Sequence, residues 1–130
     1  GSALLVDRDS KWKPKPSVAR SAKAFEKGNY PGSKYSFSDA VFALRDNLKT
    51  AKDPGVVGTP CMVSGYRKLQ QGVQLYSQIK LIVSIFCMEN FLYKDLTKFL
   101  KGKGIEDISN VGKMDIVRGK FIVTQKEGEE

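Results

Sequence analysis

A chain of 130 residues that carries 22 basic against 14 acidic side chains, net +8, and no histidine has several chemistries closed to it at the outset. Ser-His-Asp and Cys-His nucleophile pairs and His-containing zinc sites are excluded, and two cysteines do not complete a four-thiolate zinc site. The length suits one domain with its own core and no need of disulfide staples, and the basic excess favours an anionic partner such as nucleic acid or an acidic protein.

Taken in order, Gly1-Ser2 reads as the remnant of a cleaved purification tag. Ala3 to Val6 is too short an apolar run for a signal peptide and is followed at once by Asp7. In Lys11-Trp12-Lys13-Pro14-Lys15-Pro16 the two prolines deny a helix and favour an extended path. Ser17 to Lys27 has the makings of a short basic helix, with Ser17 as cap and Gly28 as stop. Through residue 36 the chain holds eight basic and three acidic residues, net +5, so more than half of the excess charge is here. Residues 1–35 are therefore expected as a basic, partly extended N-terminal arm.

The segment 36–125 is expected to be the globular part. Val41, Leu44, Leu48 and Ala51 recur at helical spacing after a Ser36 or Ser38 cap, and Asp53-Pro54-Gly55 ends that helix. Thr59-Pro60 reads as a cap followed by proline at the first helical position, opening a helix that runs to Gly72. The apolar stretch from Val73 to Leu100 is expected to form the core. Alternation at Ile79, Leu81, Val83 and Ile85 favours a strand, whereas unbroken length from Val73 to Met88 favours a buried helix; the helix is the expectation. Gln74, Gln78, Lys80 and Glu89 interrupt it too often for a membrane span. Cys61 and Cys87 sit in apolar runs and read as buried thiols in a reducing, intracellular compartment. After Asn90 a second amphipathic helix carries Leu92, Leu96, Phe99 and Leu100, and Gly102 stops it. Four residues, Arg118-Gly119 and four more residues then make a β-hairpin. Residues 126–130 are expected as an acidic, frayed tail.

The fold so predicted is α+β: a single, mostly helical domain of about four to five helices with a small C-terminal β-hairpin. No motif is specific enough to assign a family, a metal, a cofactor or a catalytic residue. Two basic constellations remain. Trp12 between Lys11, Lys13 and Lys15, with Arg20 beyond, would stack a base while the cations meet phosphates. Helix, helix and basic hairpin is also the order of a winged-helix module, which would put Lys94, Lys98 and Lys101 on the backbone and Arg118 and Lys120 at the wing tip. The sequence alone thus points to a non-enzymatic domain binding RNA or DNA, or alternatively to an interaction module with a basic face for an acidic protein.

Overall fold

The structure, a computed structural model, describes residues 1–126; the tail expected over 126–130 lies, except for Lys126, outside the described residues. Strand β1 (Ser2–Arg8) turns back on β2 (Pro14–Ala19), pairing Leu4 with Val18 and Val6 with Pro16. The Asp9 carboxylate closes this turn by accepting the Lys11 and Lys13 N–H groups, both at 2.9 Å. Pro14 and Pro16 lack a donor and sit on an edge strand, where nothing is lost by that. After α1 (Ala22–Lys27) and α2 (Ala40–Leu48) the chain enters β3 (Pro54–Gly58), parallel to β1. Helix α3 (Pro60–Gly72) and a 3-10 turn at Gln74–Gln78 then lead to β4 (Leu81–Ser84), parallel to β3. The order across the sheet is β2-β1-β3-β4.

Side chains alternate along a strand, so one face of this sheet presents Leu4, Val56 and Ile82. Leu44 and Leu48 of α2, Tyr66 of α3, Tyr76 and Ile79 pack against that face as the first core. Each fully buried aliphatic side chain there contributes about 1.5–3 kcal/mol. The second core lies between α4 (Tyr93–Gly102) and a hairpin of β5 (Val111–Val117) and β6 (Lys120–Gln125), and is made by Leu96, Leu100, Val111, Met114 and Trp12. Arg118 and Gly119 both take positive φ, 51° and 74°, the backbone that a two-residue turn between twisted strands requires.

Several expectations are corrected. The domain is not mostly helical: it is mixed α/β, with a four-stranded and a two-stranded sheet. The basic stretch 1–35 contributes β1 and β2 to the main sheet, since Leu4 buries its side chain in the first core. Ser21, not Ser17, caps the helix that follows, accepting the Ala24 N–H at 3.1 Å. The run 73–88 is a 3-10 turn, a strand and an extended segment, because the β-branched residues pair with β3 instead of coiling. Only part of this run enters the core: Tyr76 and Ile79 are buried there, whereas Leu81 is 61 % exposed and Phe86 fully so. Among the described residues no helix is long and apolar enough to cross a membrane.

Candidate functional site

Strands β1, β3 and β4 run in one direction, so their carboxyl ends lie along one edge of the sheet, where open α/β sheets take their ligands. A cleft of about 310 Å³ opens there. Its floor is the strand-to-helix turn Val57-Gly58-Thr59, with Cys61 and Met62 at the start of α3. The turn is tight: a Cβ on Gly58 would stand 3.2 Å from that of Met62, so the absent side chain lets helix and strand close up. Pro60 occupies the first helical position and Thr59 makes no side-chain cap, which leaves the Cys61 and Met62 amides of α3 without an intrahelical partner.

One wall is the segment Tyr30 to Ser38. Gly32 and Tyr35 take positive φ, 82° and 53°, and so bend this segment across the edge of the sheet. The Tyr35 carbonyl accepts from the Phe91 N–H at 2.8 Å, and its hydroxyl accepts from the Ile116 N–H at 3.0 Å, which ties the wall to the hairpin unit. Lys34 is only 9 % exposed, and its ammonium donates to the carbonyls of Tyr30 and Gly32. Burial drives its pKa down from 10.5 to about 8; Asp7 opposes that shift and Arg8 adds to it. Ser36 and Ser38 line the same cleft, and their buried hydroxyls have no partner among the described residues. The opposite wall is the extended segment Ile85 to Asn90, held to the sheet by the Ile85 N–H donating to Gly58 at 2.9 Å.

Both cysteines are free and line this cleft, Cys61 from the start of α3 and Cys87 from the far wall. They are exposed, which corrects the expectation of buried thiols. Thiols are soft donors; among the described residues no group of three or more His, Cys, Asp or Glu converges to hold a metal ion.

The residues singled out from the sequence lie elsewhere. Lys11, Lys13, Lys15 and Arg20 are exposed along the β1–β2 turn and the edge strand, Lys94, Lys98 and Lys101 along α4, and Arg118 and Lys120 at the hairpin tip. The Tyr93 hydroxyl donates to the Lys11 carbonyl at 2.6 Å, which brings the β1–β2 turn beside the first turn of α4. Trp12 is no stacking platform. It is 4 % exposed, its indole N–H donates to the Val111 carbonyl at 2.8 Å, and the Arg8 guanidinium covers a ring face at 3.8 Å. Sequence reading gives Lys34 no role and takes Ser36 or Ser38 as the cap of α2, a position that Asp39 holds, and Thr59-Pro60 only as the start of α3. The available signal is glycine ending an apolar run just before a capped helix, which by itself reads as a mere connector.

Comparison with known proteins gives this edge a context. The family model for the C terminus of the coenzyme F420 hydrogenase/dehydrogenase beta subunit matches residues 52–130. The coenzyme F420 hydrogenase subunit beta of Methanothermobacter thermautotrophicus is 39% identical over 118 residues, 86% of this chain and 41% of that protein. A subunit of the F(420)H(2) dehydrogenase of Methanosarcina mazei is 30% identical over 132 residues, 98% of this chain and 36% of that protein. In structure, a chain of the F420-reducing [NiFe] hydrogenase complex from Methanosarcina barkeri superposes with a TM-score of 0.87 at 27% identity, over 98% of this chain and 46% of that one. This chain thus spans less than half the length of these relatives. They are subunits of redox enzymes, which overturns the expectations of a non-enzymatic domain and of a nucleic-acid partner. The acidic-protein alternative has no support beyond the fact that the solved relative belongs to a multi-subunit complex. With more than half of its residues matched by that model, the chain belongs to the family of the coenzyme F420 hydrogenase/dehydrogenase beta subunit, in its C-terminal part.

Proposed function

We propose that this chain forms part of a redox subunit that exchanges reducing equivalents with coenzyme F420, and that the cleft at the carboxyl edge of β1 and β3 meets the cofactor. The observation that carries this is the position of the cleft: it lies where a parallel sheet receives ligands, in a chain whose relatives are named for that coenzyme. Bound there, the coenzyme would supply hydride chemistry through its deazaflavin ring. The residues present suit such a guest. Met62, Ile85 and Phe86 offer apolar surface to a ring, and Lys34 in the facing wall brings a cation near a charged tail. The net charge of +8 would draw an anionic cofactor in. Two free thiols suit the reducing interior of a cell.

The experiment is a fluorescence titration of coenzyme F420 with the chain and with a Gly58→Val variant, whose side chain intrudes where α3 meets β3. The expected result is saturable quenching by the parent and at least about ten-fold weaker binding by the variant, with far-UV circular dichroism unchanged. Equal affinity in the two proteins would move the cofactor out of this cleft, and no quenching by either would remove it from this chain.

A further inference from the structure

We propose that a second cavity, between α4 and the β5–β6 hairpin, is a docking pocket for an arginine side chain presented by a partner protein. The cavity measures about 310 Å³, room for one long side chain, and its walls include Phe91, Phe99, Ile116 and Phe121. Glu89 and Asp95 are the charged residues that line it. Glu89 also borders the cleft at the sheet edge, so the two cavities are neighbours, but no cofactor in that cleft is needed for the arginine to dock. The aromatic walls are set before any guest arrives. Phe121 meets Phe99 edge-to-face at 6.0 Å and Tyr35 at 5.6 Å, and rings already fixed lower the ordering cost of binding. A guanidinium suits such walls because it is planar, weakly hydrated and stacks on aromatic faces. The same pairing occurs inside this chain, where the Arg8 guanidinium lies 3.8 Å over the Trp12 ring. A cation also stands by the cavity's own Phe99, with the Lys103 ammonium 5.9 Å from the ring centroid.

The carboxylates choose the sign of the guest. The ion pairs among the described residues are made by Asp46 and Asp115, which leaves Glu89 and Asp95 without a cation. A carboxylate takes an arginine fork through two parallel N–H···O bonds, a geometry that a lysine ammonium does not match. In a chain of net +8, a cavity whose charged lining is acidic selects a cation against the overall field. A neutral or anionic anchor would leave both carboxylates unpaired beside apolar walls. Phe99 remains 49 % exposed, so a ring is left for the partner surface around the anchor to cover, which assigns the guest to a protein and not to a free amine.

The test is a methyl NMR titration of the full chain with N-acetyl-arginine amide, followed at Ile116. The control is the citrulline analogue, whose neutral urea keeps the shape and removes the charge. Saturable shifts with a dissociation constant of about 1–10 mM are expected for the arginine probe, and at least about ten-fold weaker binding for the control. Both carboxylates belong to exposed residues, so Asp95→Asn alone, and with Glu89→Gln, is expected to fold as the parent does by circular dichroism. The single variant is expected to weaken the arginine probe, and the double variant to bring it to the citrulline level. Equal binding of the two probes by the parent, or parent-like binding of arginine by the double variant, would overturn the pocket. A further arm compares free arginine with the capped peptide Leu-Arg-Leu. Tighter binding of the peptide supports a protein as the source of the side chain; binding of free arginine as tight or tighter would overturn it.

Discussion

Replacing Trp12 by phenylalanine tests how the two cores are held together. Trp12 belongs to the turn between β1 and β2, yet its side chain is buried with α4 and β5 in the second core. Its indole N–H reaches the Val111 carbonyl at 2.8 Å, across 99 residues of sequence, and Val111 is fully buried. Phenylalanine removes the donor and leaves that carbonyl short of a partner where water has no access, at a cost of about 1–3 kcal/mol. The smaller ring also leaves a void worth about 1 kcal/mol. The expected loss is therefore about 2–4 kcal/mol, a large share of the roughly 5–15 kcal/mol that holds such a domain folded. Trp12 also takes a φ of 62°, which is uncommon for a residue with a side chain, so packing must offset that strain. Chemical denaturation followed by far-UV circular dichroism measures the loss, and hydrogen exchange locates it. Amides of α4 and β5 are expected to lose protection before those of β1 and β3. A W12F midpoint within about 0.5 kcal/mol of the parent would refute the reasoning, as would uniform loss of protection.

Three further outcomes follow from single side chains. The Tyr66 hydroxyl is buried without a partner among the described residues, and burial pushes its pKa up to about 12, so Tyr66→Phe should be neutral or stabilise by up to about 2 kcal/mol; a lower melting temperature would reveal a bond to that hydroxyl. Lys34 has a folded pKa of about 8 against 10.5 in an unfolded chain, so between those values the unfolded state holds more protons. Stability should therefore rise with pH through that window, by at most about 3 kcal/mol, and Lys34→Met should flatten the slope in a pH series of denaturation curves. Arg118 holds φ at 51° in the hairpin turn, where asparagine is at home; Arg118→Asn should add about 0.5–1 kcal/mol, read from the same curves.

Local chemistry was enough to define those elements whose ends are local events. Thr59-Pro60 and Gly72 mark α3 at both ends, Gly102 closes α4, and the four-two-four spacing about Arg118-Gly119 defines the hairpin, because caps and turns are settled within a few residues. Net charge, the absence of histidine and the number of thiols were likewise fixed by sequence alone. Tertiary structure decided the rest. Whether Leu81–Ser84 was strand or helix depended on β3, more than twenty residues away, because a short apolar run satisfies either period until a partner strand supplies hydrogen bonds. Trp12 became a core residue only because Val111 came to lie beside it. The cleft exists in no single segment: residues 30–38, 57–62 and 85–90 meet there because parallel pairing lines up the carboxyl ends of strands far apart in the chain.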